Sequence, residues 1–230
     1  MHKLILSLLL LGGASVAASA ASLTDIETRW LSAGAPVLAY AKQLQLPIDI
    51  IVQPQAGPND VPLAMGFDHG RCKLVLSMRG NPQAESVLDS VPAERRGVLI
   101  EAITAHEVGH CWRYAQGSWH VLPTGFVEVG HQQAERPELL EMSKEMRLTQ
   151  REEGFSDLLA LAWTAQRHPA EYAQVHQWLS RLRRGAGAAG ASHDTSAWLQ
   201  LASDKAAFGP AVSPFEQVTM LWSKGLLGED

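Results

Sequence analysis

The sequence predicts an α+β fold in which a small antiparallel or mixed sheet precedes a long helix and a mainly helical C-terminal half. Two observations carry that prediction. Alternating and β-branched runs are confined to residues 47–79, and the segments after them have helical composition bounded by Pro and Gly. "LTDIETRWLSAGAPVLAYAKQL" predicts a first helix, and "PIDIIVQP", a β-branched run between prolines, predicts a strand. "VPLAMGFDHGRCKLVLSMRGNP" places two apolar runs around the turn tetrad "DHGR" and predicts a hairpin. Its second arm, Cys72 to Met78, alternates only partly, as a strand near a sheet edge does. Pro92 suits the first turn of the next helix, "AERRGVLIEAITAHEVGHCWRY", which holds no breaker stronger than Gly97 and Gly109. Residues 112–133, with Gly117, Pro123, Gly125 and Gly130, read as a long loop or insertion. Helix resumes near Pro137 and runs toward Pro169, with a break or kink expected at Gly154. "AEYAQVHQWLSRLRR" is a further helix, "GAGAAGAS" a connector of small residues, and "DTSAWLQLAS" and "SPFEQVTMLWSKGLL" two short closing helices. The sequence has no internal repeat.

Residues 1–20 have the layout of a secretory leader: Lys3, the apolar run "LILSLLLL", then small residues ending in Ala18-Ser19-Ala20. That run falls well short of the roughly 20 apolar residues a spanning helix needs, so cleavage after Ala20 is expected in preference to an uncleaved anchor. Residues 21–230 then form one domain, with a sheet-containing lobe over about 21–115 and a helical lobe over about 135–230. The 230-residue chain has 19 Lys and Arg against 24 Asp and Glu, and loss of Lys3 with the leader takes the net charge from -5 to -6. A mildly acidic chain without a basic stripe argues against a nucleic-acid partner. With no second apolar stretch of spanning length, no stable membrane insertion is expected once the leader is gone. The one basic cluster, "RLRRG" from Arg181 to Gly185, ends a helical segment and reads as a complement to the helix dipole. Cys72 and Cys111 are the two cysteines, and export would carry both to an oxidising compartment where they can pair. Two free thiols are the alternative.

Residues 105–111 read "AHEVGHC". On a helix of about 3.6 residues per turn, His106 and His110 share a face and can present ring nitrogens to one point. Zinc held by imidazole at about 2.0–2.1 Å requires such convergence. Glu107, about 100° around the helix from His106, can flank the metal without ligating it, as general base toward a metal-activated water. The pentapeptide fixes only three residues, and its chance expectation in a chain of this composition is roughly 2%. Two histidines sharing a partly buried helix face are therefore the alternative on this motif alone.

A catalytic zinc takes a third protein ligand and keeps a fourth position open. The pattern H-E-x-x-H-x-x-G-x-x-H is excluded, because its Gly and His positions hold Arg113 and Gln116. Another arrangement draws a glutamate from a later helix, with an aspartate four residues on that hydrogen-bonds a ligating imidazole. Glu128, Glu135, Glu138, Glu141, Glu145 and Glu152 lack that aspartate; Glu153 has it in Asp157, within "EEGFSD". The two share a helical face ahead of the apolar run "LLALAW", so Glu153 is the expected third ligand and Asp157 its histidine-orienting companion. His120 and His131, in the loop after the motif, are the alternative third ligands. His69 reads as a turn residue and His168 as a helix end, while Trp112, Trp119, Trp163, Trp178, Trp198 and Trp222 read as core or cleft wall.

"HEVGH" and "EGFSD" resemble the gluzincins, the thermolysin-like clan of zinc metallopeptidases, whose pattern is H-E-x-x-H followed by E-x-x-x-D on a second helix. The resemblance extends loosely over residues 62–200. It implies a zincin-like catalytic domain with one zinc ion on His106, His110 and Glu153. It implies an antiparallel edge strand holding the substrate backbone, placed at Lys73 to Arg79 ("KLVLSMR"), and a histidine beyond the second zinc helix as electrophile. His193 in "ASHDTSAW" is the candidate, with Asp194 either orienting a ring or capping the next helix. Tyr114 and Tyr172 are further candidates that no motif singles out. One departure stands out: Glu153 lies 43 positions after His110, a longer gap than in thermolysin-like enzymes, and the excess falls in residues 112–150. The implied function is a periplasmic or secreted zinc metallopeptidase acting on a peptide or protein, with Glu107 as base and His193 stabilising the oxyanion. A zinc-binding scaffold without turnover and a cell-wall amide hydrolase are the alternatives. An intact Glu107 speaks against the first; the second fits the same chemistry and compartment.

Overall fold

The computed structural model describes residues 22–127, 137–185, 192–210 and 213–228. The leader, His131 and most of the small-residue connector lie outside these residues. Thr24 starts α1 (Asp25–Gln43) with a capping box: its hydroxyl accepts from the Glu27 N–H, and the Glu27 carboxylate accepts from the Thr24 N–H. The same carboxylate is buried beneath Arg79, whose Nε and Nη2 donate to it at 2.8 and 3.0 Å. One side chain thus caps a helix and joins it to the segment that leaves the sheet. The Arg79 guanidinium holds the Glu27 carboxyl down at about 2.

β1 (Ile48–Val52), β2 (Leu63–Asp68) and β3 (Arg71–Leu76) form a mixed sheet in the order β1-β3-β2. β2 and β3 make the expected hairpin, in antiparallel register from Leu63 opposite Leu76 to Asp68 opposite Arg71. Its two-residue turn has φ of 49° at His69 and 74° at Gly70, the left-handed pair that a type I′ turn requires. β1 pairs in parallel with the other side of β3, Ile48 opposite Cys72 and Val52 opposite Leu76. The arm expected near the sheet edge, and with it the segment proposed to hold a substrate, is therefore the central strand. Cys72, Leu74 and Leu76 are all buried on one of its faces. A parallel partner from an earlier segment leaves no mark on the local pattern of β3, which is why the sequence suggested an edge.

After a single turn of helix, α2 (Gln83–Ser86), the chain enters α3 (Arg96–Ala115), which touches β2, β3, α1 and α4. The irregular stretch expected from Trp112 begins only after Ala115. α1 crosses α3 at Gly34, where a Cβ would lie 2.6 Å from Thr104 Oγ1. Cys72 and Cys111 are bridged, with their Cα atoms 5.6 Å apart, so β3 is covalently bound to α3 one residue past His110. α4 (Pro137–Arg167) runs through Gly154 without the break that glycine suggested. Packing explains the glycine: a Cβ there would lie 2.5 Å from the ring of Trp198, which is buried and donates its indole N–H to the Trp222 carbonyl. α5 (Tyr172–Gly185), α6 (Ser196–Leu201) and α7 (Pro214–Gly225), the last capped by Ser213, complete the helical half around α4. The fold is α+β, with the sheet ahead of α3 and the helical half behind it. Among the described residues no helix is long and apolar enough to cross a membrane.

Two stability measurements follow from these ties. The disulfide closes a separation of 39 residues, for which the chain-entropy relation gives about 4 kcal/mol. A Cys72→Ser, Cys111→Ser double variant should lose about 2–4 kcal/mol in urea unfolding, and a loss near zero would show that the bridge constrains nothing. Glu27, with a folded pKa below its ordinary 4.5, adds stability that is complete above that pH and is lost as the pH falls toward about 2. Glu27→Gln should flatten this acid limb of the urea midpoint; wild-type and variant profiles that run parallel would locate the acid sensitivity elsewhere.

Candidate metal centre

α3 presents His106, Glu107 and His110, and α4 presents Glu153, Ser156 and Asp157. The helices cross at Gly109, where a Cβ would lie 2.9 Å from Ser156 Oγ and 3.1 Å from Ser156 Cα. A glycine between the two histidines thus lets α4 approach closely enough for its carboxylates to reach both rings. The two Nε2 atoms stand 3.1 Å apart. Glu153 completes the group, with Oε2 3.5 Å from His106 Nε2 and Oε1 3.4 Å from His110 Nε2. Behind the rings, His106 Nδ1 lies 2.9 Å from Asp157 Oδ1 and His110 Nδ1 lies 3.0 Å from Ser156 Oγ. In the tautomer with hydrogen on both Nδ1 atoms, each Nε2 turns a lone pair toward the other, and a shared cation satisfies both. His106, His110 and Glu153 could therefore hold a metal ion.

The electrostatics are those of a buried anionic group. Burial raises the Glu153 carboxyl, but its bond to His110 and the charges of His106 and Arg183 outweigh this and hold it at about 2. Asp157, with no exposed surface, is likewise desolvated and yet held well below the carboxylate range by Arg183 and His106. His106 is pulled downward by burial and raised overall by Asp157, Glu153 and Glu107. Glu107 moves the other way: burial pushes its carboxyl up, opposed by His106 and His110.

Arg183 is the residue that the sequence reading misplaced. Its Nε donates to Asp157 Oδ2 at 2.7 Å, and its Nη2 lies 2.6 Å from Asp157 Oδ1 and 2.9 Å from Glu153 Oε2. It is a member of this cluster and only 10% exposed, not a solvated complement to the α5 dipole. A signal was present in the helical period: Val175 and Leu179 mark the inward stripe of α5, and Arg183, four residues after Leu179, falls on it. Ser156 and Thr195 were also missed; neither belongs to a motif.

His193 stands at the rim, half exposed, with Nε2 3.8 Å from Glu153 Oε1. Asp194 accepts from the Ser196 N–H and hydroxyl, bonds that suit the capping alternative. His120 does not join the group. It is exposed, with φ of 60°, and its backbone N–H donates to Glu152. Glu152 also takes both guanidinium bonds of Arg113, at 2.9 Å each, and this pair fastens the loop after α3. The loop brings Trp119 edge-on to His110 and to Phe67, ring centres 5.6 and 4.8 Å away, with Tyr114 stacked on Phe67. Tyr172 lies elsewhere, its hydroxyl donating to the Ala202 carbonyl.

A cleft of about 340 Å³ opens beside the cluster. Glu107, Arg183 and His193 line it together with Leu63–Met65 of β2, Ile103 of α3, Trp178 and Leu179 of α5, and Trp30 of α1. Apart from the cluster itself its walls are mostly apolar. No family model matches the chain, and no curated protein or solved structure matches it.

Gly109→Ala tests whether the close crossing forms the group. In an isolated helix this change adds about 1 kcal/mol of helix propensity. Here it should push α4 away and lower divalent-metal affinity about 10- to 100-fold, the scale of disturbed ligand support. Competition with a chromophoric chelator measures this, and an affinity equal to wild type would mean that the crossing does not set the ligand positions.

Proposed function

We propose that the chain is an exported zinc metallopeptidase of the gluzincin type, cleaving peptide bonds in peptides or proteins. The observation that carries this reading is the convergence of two imidazoles and one carboxylate at 3.1–3.5 Å with an unligating, buried Glu107 beside them in an open cleft. Tetrahedral zinc with arms of about 2.0–2.1 Å implies ligand separations of about 3.3–3.4 Å; the two Nε2 atoms stand close to that, and each has one of the two Glu153 oxygens at 3.4 or 3.5 Å. This donor set suits zinc and leaves a fourth position free. When bound, zinc supplies a Lewis acid that polarises a carbonyl and lowers the pKa of an attacking water.

The chain's own residues do the rest. Glu107 takes the proton from the attacking water and delivers it to the leaving amine. Its upward-shifted carboxyl suits a base that must also act as an acid. His193 donates to the oxyanion as it forms. Asp157 fixes the tautomer and aim of His106, and Ser156 supports His110. The outer edge of β2 at Leu63–Met65, replacing Lys73 to Arg79 in this role, offers backbone groups to which an extended peptide can add as a strand. The apolar wall of Trp30, Ile103, Trp178 and Leu179 suits an apolar side chain beside the scissile bond. It offers few partners for sugar hydroxyls, which favours a peptide substrate over cell-wall material. Export is supported by the Cys72–Cys111 bridge together with the leader-like N-terminus.

Glu107→Gln separates this enzyme from a scaffold that merely binds metal. The variant should retain one zinc per chain and lose peptide cleavage by at least about 100-fold, the scale of general-base catalysis. Zinc content by mass spectrometry and digestion of a chelator-sensitive peptide substrate are the two readouts. Full turnover with zinc retained would remove Glu107 from the chemistry.

A further inference from the structure

We propose that Thr195 is a positioning residue: its hydroxyl latches the segment carrying His193 onto Asp157 and so fixes where that imidazole stands over the metal ligands. The proposal rests on the reading of His193 as oxyanion donor. Asp157 has no exposed surface, and its two oxygens accept three hydrogen bonds. Oδ1 receives Arg183 Nη2 at 2.6 Å, with His106 Nδ1 beside it at 2.9 Å; Oδ2 receives Arg183 Nε at 2.7 Å and Thr195 Oγ1 at 2.6 Å. Thr195 is thus the one neutral donor among these bonds.

The two Arg183 bonds have a local purpose, neutralising the buried charge. The third, from Thr195, does not serve the helix that Thr195 precedes. Thr195 occupies the N-cap position of α6 but makes no side-chain cap bond, and Asp194 bonds the Ser196 N–H instead. The Thr195 hydroxyl, fully buried, is spent on Asp157. His193 is two residues away, a span of at most about 7 Å, and is itself 49% exposed. The anchor at Thr195 therefore limits where the ring can go. The result is a continuous path, His193 segment to Thr195 to Asp157 to His106, joining the rim of the cleft to the back of a metal ligand.

The test compares Thr195→Val, which keeps the shape and removes the donor, with Thr195→Ser, which keeps the donor. On the zinc-loaded full chain, Thr195→Val should lower kcat about tenfold, part of the loss of an oxyanion donor, with KM little changed. Thr195→Ser should remain within about twofold of wild type, and Thr195→Val combined with His193→Ala should be no slower than His193→Ala alone. In the cobalt-substituted protein, the metal-shifted ring resonances of His193 should move in Thr195→Val and persist in Thr195→Ser, while metal affinity stays within about threefold in both. Unmoved His193 resonances in Thr195→Val, or losses that add in the double variant, would overturn the latch. A His193→Ala variant with undiminished, chelator-sensitive turnover would overturn it too, while leaving the zinc peptidase reading intact. Failure of the wild type to cleave any peptide would remove that reading instead, and the cobalt shifts would still decide the latch.

Discussion

A carboxylate removed from water must recover its lost hydration inside the protein, or the fold that buries it is unstable. Asp157 imposes that demand on this chain. It has no exposed surface; its hydrogen-bond donors come from α5 and the turn before α6, and an imidazole of α3 stands 2.9 Å away. Those elements can meet around one side chain of α4 only if the helices approach closely. The close approach is provided by residues without side chains: Gly109 under Ser156, and Gly154 under Trp198. The polar junction and the glycine contacts are thus two halves of one arrangement, and the candidate metal ligands are where they are because of it.

Two consecutive glutamates on α4 divide the work. Glu153 faces the histidines, whereas Glu152 is buried against Arg113 and the backbone N–H of His120. Arg113 also lies over the Trp222 ring, 4.3 Å from its centre. The loop after α3 is therefore fixed by the same turn of α4 that supplies the third candidate ligand, and it delivers Trp119 to the side of His110. On the opposite flank the disulfide anchors α3 to the sheet. The two histidines sit on a helix held at both sides of its last turns.

Much of this was legible in the sequence wherever the determinant was local. The hairpin announced itself through "DHGR", α1 through its helical composition, and the pairing of Glu153 with Asp157 through a spacing that places both on one helical face. What was hidden came from distant segments. β1 joins β3 from a strand more than twenty residues earlier, so nothing within Cys72 to Met78 could show that it is central. Gly154 carries two meanings in sequence, helix breaker or close contact, and only the arrival of Trp198 selects the second. Arg183 looked like one of three interchangeable arginines; its position on the Val175 and Leu179 stripe distinguishes it, since an arginine on an inward stripe must have a buried anion to meet.

The disulfide also divides the candidate group along the chain. Both cysteines and both histidines lie before residue 112, whereas the third ligand, the buried aspartate and the arginine all come from segments made later. The bridge ties the helix of His106 and His110 to the sheet whether or not α4 is docked, and it needs an oxidising environment. On the proposed reading of an exported metalloprotein, the group would be completed, and would take up its ion, in the compartment where the bridge forms.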